Sequence, residues 1–272
     1  MKTACNKKTK TLLFISGSLF IFNLFFLNSC GLESYIYLNA PTVTHNFPTY
    51  ETLADYKYFE FTTMENSDQP AFQGTAVYYK IYNNYSTMAS QVSSISSLAS
   101  SSTNESAAAA KMIDTYGYKQ LGLRKGNDGV TKTPLIERSD SGKQRVYIRL
   151  TNFQDSDAFK AVVKVKPDDG SGTYTAEHEL GIPMRVENRN SFDFGRNDSS
   201  KWGDDAERNV LPEENDALGD VNYSSSFSDE EKNCWYVDLY AVGVGMSEDF
   251  VTYYSNVLHL GAVKIDASQE DN

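Results

Sequence analysis

Few residues in this chain have the type and spacing that known enzyme chemistry requires. The three histidines, His45, His178 and His259, are far apart, and no second histidine follows His178 at the interval of a zinc-protease helix. Nucleophile-elbow, P-loop and dinucleotide fingerprints are all missing from the sequence. We therefore predict no catalytic residues, no metal ligands and no cofactor.

Acidic residues form one cluster that invites a chemical interpretation. Hard oxygen ligands at short spacing can bind Ca²⁺, although no stretch here keeps the Asp-x-Asp-x-Asp-Gly order with a glutamate at the twelfth place. Acidic loops are usually just solvated, so calcium binding in the loop 198–220 stands as an alternative. A carboxylate pair for glycoside cleavage is a second alternative, because the separation it needs is a distance in space. The cluster consists of Asp198, Asp204, Asp205, Glu207, Glu213, Glu214, Asp216 and Asp220.

Composition excludes other classes of protein. Lys and Arg number 25 against 36 Asp and Glu, a net charge of −11, whereas nucleic-acid binding needs clustered basic side chains. Aromatic residues make up 13% of the chain and supply the burial that disordered chains lack.

Cys234 precedes an apolar strand pattern and has no base near it in sequence, so we interpret it as a buried, inert thiol.

The first thirty residues have the pattern of an export signal. Four lysines among the first ten residues are followed by an apolar run from Leu12 to Leu27. This run has 16 residues, whereas a helix that crosses a bilayer needs about 20. We therefore predict that residues 1–29 are a signal peptide.

Residues Leu27-Asn28-Ser29-Cys30 resemble the lipobox of bacterial lipoproteins and are similar to the looser boxes of spirochaete lipoproteins. In that family the cysteine is lipidated and becomes the first residue of the mature chain. The resemblance therefore implies a lipid anchor on Cys30 and a place in the cell envelope. Gly31, in a position where other lipoproteins can carry an acid, favours the outer membrane. The alternatives are an ordinary signal peptide cut near Ser29 and an uncleaved membrane anchor.

Strand patterns dominate the two ends of the mature chain. Apolar and polar residues alternate over 56–63, 75–82, 234–244 and 255–265, with shorter runs at 145–150, 160–166 and 184–187. Residues 195–232 are weakly patterned and predict a long loop or a small irregular excursion.

A serine-rich segment between these strands has helical spacing. It predicts two helices, over 87–99 and 103–116, that form a hairpin. Ser102 and Glu105 fit a capping box, and Gly117 fits the position just past a helix end. Because serine is an indifferent helix former, a mobile low-complexity loop is the alternative.

The end strands resemble those of a fibronectin type III domain. Residues 235–243 are similar to its penultimate strand, 78–82 to its third strand and Ser255 onward to its last strand. The match covers 35–83 and 231–267, with 84–230 as a partly helical insertion. The resemblance implies one mainly β domain over 30–272, an immunoglobulin-like or fibronectin III-like sandwich in which strands 75–82 and 234–244 pair.

With that pairing, Tyr78, Tyr82, Tyr236 and Tyr240 share the outward face of one sheet. Either the inserted segment covers them, or they form a patch that binds a protein or glycan partner. We predict a membrane-anchored, non-enzymatic binding or structural module with an unknown ligand. The alternative is a glycosidase-like hydrolase that uses acidic residues.

Overall fold

The computed structural model describes residues 36–43, 56–65, 71–125, 128–130, 134–140, 142–151, 160–168, 178–185, 194, 219–226 and 234–266. The chain divides into two compact units, Met1–Tyr35 and Ile36–Asn272, and every described residue belongs to the second. The predicted signal peptide, Cys30, His45 and residues 198–218 lie outside the described residues. Within the described ranges, no helix combines the length and the apolar character that crossing a membrane requires.

The first sheet joins strands from the start and the middle of the chain. Each neighbouring pair in it is antiparallel. From one edge to the other, numbered in chain order, its described strands are β1 (Thr42–Val43), β2 (Phe59–Thr62), β8 (Gln144–Arg149), β9 (Val162–Pro167), β10 (His178–Met184), β5 (Gly122–Lys125) and β6 (Asp128–Val130). Because β5, β6, β8, β9 and β10 all come from segment 84–230, the predicted insertion completes the sandwich.

The second sheet is built on three long antiparallel strands, β3 (Phe72–Tyr82), β12 (Cys234–Met246) and β13 (Thr252–Asp266). The predicted pairing is confirmed, since Tyr82 is opposite Tyr236 and Thr75 is opposite Gly243. The second edge of β3 pairs with three short strands, which are β7 (Ile136–Glu137), β4 (Lys119–Gln120) and, in parallel, β11 (Val221–Asn222).

The two sheets share one hydrophobic core, which confirms a mainly β sandwich. Because successive side chains of a strand point to opposite faces, alternate residues of β3 and β12 enter this core. They are Val77, Tyr79, Ile81, Trp235, Val237, Leu239 and Ala241, and they pack with Phe59, Phe61, Val146 and Ile148 of the first sheet.

Helices lie on the other face of the second sheet. Helix α1 (Tyr85–Ser101) begins at Asn84, whose side chain accepts a 2.8 Å hydrogen bond from the backbone N–H of Thr87. Helix α2 (Ala107–Ala110) continues directly into a π-helical turn, Lys111–Thr115. The serine-rich segment is therefore helical, and the alternative of a low-complexity loop does not apply to it.

The predicted capping box is wrong. The Ser102 hydroxyl accepts from the backbone N–H of Asn104 at 3.0 Å, a local turn that competes with a helix start. Helix α2 consequently begins later, after Ser106. The role of Gly117 is confirmed, because it has φ of 70° and its N–H donates to Ile113 O at 3.1 Å.

Replacing Leu239 with Ala should lower the free energy of unfolding by about 2–5 kcal/mol, as truncations in a closed core do. Leu239 is fully buried between the sheets. Urea unfolding checks this, with Val43→Ala as control, because Val43 is 47% exposed on an edge strand. A loss for Leu239→Ala as small as that of the control would contradict the shared core.

Candidate functional site

The helical segments cover the tyrosine-rich face of the second sheet. The ring of Tyr85, at the start of α1, lies 5.5 Å from that of Tyr236. Near the other end of α1, Ala99 O accepts from Asn256 Nδ2 of β13 at 2.8 Å. Buried side chains of the helical segments pack onto the sheet between these contacts; they are Met88, Ile95, Ala108, Ala109 and Met112.

The predicted partner patch is therefore not an exposed surface. Tyr78, Tyr82, Tyr236 and Tyr240 are 6%, 0%, 4% and 0% exposed. The physical reason is that removing this much aromatic area from water is strongly favourable. Of the two possibilities that the sequence left open, the structure has the one in which the inserted segment covers these tyrosines.

A hydrogen-bonded polar network lies beneath the helices and is centred on Asp238 of β12. Its Oδ2 accepts from the Tyr118 hydroxyl at 2.7 Å, and its Oδ1 is 2.7 Å from His259 Nε2. The Tyr82 hydroxyl is 3.0 Å from that of Tyr118 and 2.9 Å from Gln91 Oε1 of α1. Since a hydroxyl has one proton, Tyr82 donates to one of these two at a time.

A β-bulge brings His259 onto the same face as Asp238. Leu239 is opposite Gly261 and Tyr240 is opposite His259, so that Leu260 is an extra residue in β13. Gly261 has φ of 96°, which glycine adopts without the steric penalty of a side chain. With uninterrupted alternation His259 would point into the core between the sheets. Instead its ring lies 4.7 Å from that of Tyr240.

Asp238 determines the protonation of His259. Burial alone would lower the pKa of His259, but the charge of Asp238 and the hydrogen bond to it together raise this pKa above 6.5. Burial also raises the pKa of Tyr82, Tyr118 and Tyr240 above 10. The tyrosines are therefore neutral hydrogen-bonding groups.

A second buried carboxylate, Asp220, joins the two sheets. It accepts from Arg185 Nε at 2.8 Å, from Arg185 Nη2 at 2.7 Å and from the Tyr79 hydroxyl at 2.6 Å. Arg185 follows β10 of the first sheet, whereas Tyr79 belongs to β3 of the second. The interpretation of Asp220 as a solvated loop acid is wrong, because its side chain is fully buried and paired with Arg185.

The Asp238–His259 pair has the form of a general base with its orienting acid. Such a pair can activate a side-chain hydroxyl or a water, and the hydroxyls of Ser106 and Ser255 on adjoining segments donate instead to the backbone carbonyls of Tyr254 and Asn256. Among the residues that the structure describes, no three His, Cys, Asp or Glu side chains are placed to hold a metal ion. The network links Asp238 and His259 of the sheet to Gln91 of α1 through the hydroxyls of Tyr118 and Tyr82.

The other residues that the sequence singled out lie elsewhere. His178 is exposed at the start of β10, as expected for a solvated strand face. The side chain of Cys234 is outside the described part of the structure. Sequence reasoning missed the Asp238–His259 pair, although one signal was present: Asp238 is a single acid within an otherwise apolar strand.

Comparisons with known protein families, with curated protein sequences and with solved structures each found no match to this chain. The fold class is a β-sandwich with a helical layer on one sheet. The function has to be argued from this chain's own residues.

Replacing Asp238 with Asn should lower the pKa of His259, because burial lowers it and the opposing charge is then gone. Titration of the histidine ring signals by NMR measures this. Asp249→Asn removes an exposed acid from the β12–β13 turn and should leave the His259 signal unchanged. An identical His259 pKa in wild type and Asp238→Asn would contradict the coupling.

The raised pKa of His259 also determines how the free energy of unfolding depends on pH. An unfolded histidine titrates near pH 6.5, and the pKa of folded His259 is higher. Its contribution to stability is therefore complete below about pH 6.5 and is lost as the pH rises through the folded-state pKa. Urea unfolding of His259→Gln should lack this part of the pH dependence, whereas an unchanged profile would contradict it.

Proposed function

We propose that this protein is an exported bacterial lipoprotein, held in the cell envelope by acyl chains on Cys30 and favouring the outer membrane. The observation that carries the proposal is the run Leu27-Asn28-Ser29-Cys30, placed directly after a lysine-rich start and a short apolar segment. Gly31 supports sorting to the outer membrane by analogy with other bacterial lipoproteins.

The charge of the chain indicates how the anchor must work. Cleavage before Cys30 removes four lysines and no acidic residue, so the mature protein is more acidic than the precursor. Anionic headgroups repel such a surface. Attachment then rests on the acyl chains, and two or more chains are needed for stable anchoring.

Within the envelope we propose a binding or structural module and no enzymatic activity. The buried acids of the domain support this, because Asp238 and Asp220 are fully buried and already paired with neighbouring side chains. A glycosidase-like hydrolase would need two carboxyl groups about 5–9 Å apart at a solvent-filled cleft, and neither of these two acids has solvent contact.

The resemblance to fibronectin type III domains belongs to the same proposal. The strand order β3–β12–β13 supports it, since the third, penultimate and last strands of that family are the ones the sequence resembles. Sandwich domains host many unrelated functions, so the partner, a protein or a glycan, has to be found by experiment.

Replacing Cys30 with Ser should abolish both metabolic labelling by a palmitate analogue and partitioning into detergent, because the thiol that receives the lipid is gone. Cys5→Ser is the matched control; it changes another cysteine of the first thirty residues and should keep both properties. Labelling that persists in Cys30→Ser, or that is lost in Cys5→Ser, would contradict the anchor at Cys30.

A further inference from the structure

The start of the described domain lies at the same end of the sandwich as the turn between β12 and β13. A Cβ atom on Gly243 would lie 3.0 Å from Asn39 O, and one on Gly245 would lie 3.1 Å from Leu38 Cδ1. Leu38 and Asn39 therefore lie beside the last residues of β12. Tyr37, which precedes Leu38 in the chain, is 44% exposed.

The turn at this end holds two apolar side chains in solvent. Phe250 is 84% exposed and Val251 is 52% exposed. Ser247 closes the turn, because its N–H donates to Val251 O at 2.9 Å, its carbonyl accepts from Phe250 N at 3.0 Å and its hydroxyl accepts from Val251 N at 3.1 Å. The apolar tip is thus a fixed feature of the hairpin.

The backbone of Phe250 is strained as well. Its φ of 61° lies in the left-handed region, which non-glycine residues seldom adopt. Among the described residues other than glycine, Phe250 is the one with a positive φ. Strain of this kind tends to occur at functional positions. Phe250 thus combines an unfavourable backbone conformation with a large exposed apolar side chain, which makes it a candidate for a contact outside the domain.

We propose that the Ser247–Val251 turn contacts the lipid surface to which the domain is tethered, with Phe250 and Val251 in the headgroup region. This inference rests on the proposed anchor at Cys30. Five residues separate Cys30 from Ile36, so a fully extended tether of at most about 22 Å would keep this end of the sandwich close to the membrane. At the high effective concentration that such a tether gives, two apolar side chains suffice for contact.

The charges at the turn select the kind of lipid. Glu248 and Asp249 are exposed next to Phe250, and anionic headgroups would repel them. The surface that fits is therefore zwitterionic, and the two acids keep the contact shallow. A protein pocket with a basic rim is the competing occupant, but the position of the tether favours the lipid surface.

The test places a tryptophan at the turn of the full-length, lipidated protein. Phe250→Trp is reconstituted into vesicles of phosphatidylethanolamine and phosphatidylcholine with brominated acyl chains, which quench nearby indoles. The control is Tyr56→Trp. Tyr56 is 60% exposed and lies next to Lys57, whose Nζ donates to Lys264 O at 2.9 Å near the opposite end of β13. The unsubstituted protein gives the background of Trp202 and Trp235.

We expect the indole introduced by Phe250→Trp to shift its emission to shorter wavelength and to lose intensity in brominated vesicles. The indole introduced by Tyr56→Trp should keep the emission of a solvated side chain. Replacing part of the lipid with phosphatidylglycerol should reduce the quenching in the Phe250→Trp variant. Mass analysis of the same preparations shows whether Cys30 carries lipid.

If Cys30 carries lipid and the indole introduced by Phe250→Trp is not quenched, the proposed contact is wrong and the anchor stands. The protein pocket is then the occupant to test. A shift that depends on protein concentration without lipid means self-association and likewise overturns it. Protein without lipid on Cys30 overturns the anchor together with the contact that depends on it.

Discussion

Both faces of the second sheet must be covered, and the rest of the architecture follows from that constraint. Nearly every residue of β3 and of the described part of β12 is buried. This holds for the face toward the first sheet and for the tyrosine-rich face toward the helices. The first sheet covers one face and the helical segments cover the other. Helix α1 is rich in serine, which favours helices only weakly, so packing on the tyrosines stabilises it more than intrinsic propensity does. Segment 84–230 contributes to both covers and is therefore integral to the fold.

Burying both faces of the second sheet brings polar groups into the interior, and their pairing decides which arrangement is stable. A buried carboxylate costs several kcal/mol unless it is paired and hydrogen-bonded. Asp238 meets this condition through His259 and Tyr118, whose side chains come from different parts of the chain. Asp220 meets it through Arg185 and Tyr79, one from each sheet. A packing in which these partners were displaced would leave each carboxylate buried and unpaired, which is unfavourable. Each carboxylate therefore ties one layer of the domain to the next.

Sequence alternation predicted the core but not what lies over the outer face. The alternation over 75–82 and 234–244 predicted the strands that carry Val77, Tyr79, Val237 and Leu239 into the core, because both faces of a strand are visible in its own sequence. The same pattern placed the four tyrosines on one face, yet whether another segment covers that face depends on contacts between residues far apart. The Asp238–His259 pair was hidden for a related reason. The bulge at Gly261 reverses the alternation within β13, and a one-residue change of register moves each side chain to the other face.

The exposed aromatic residues of the described chain fall at two ends of the sandwich. Tyr37 and Phe250 lie at the end where the β12–β13 turn is, whereas Tyr56 and Tyr223 lie at the other. Tyr223 directly follows β11, which pairs with Ile81 and Tyr82 at the far end of β3. The proposed lipid anchor at Cys30, seven residues before Tyr37, would turn the first end to the membrane and the second away from it. Because both faces of the second sheet are already covered within the domain, its side chains are taken up by internal packing, and the large aromatic side chains left in solvent are those at the two ends.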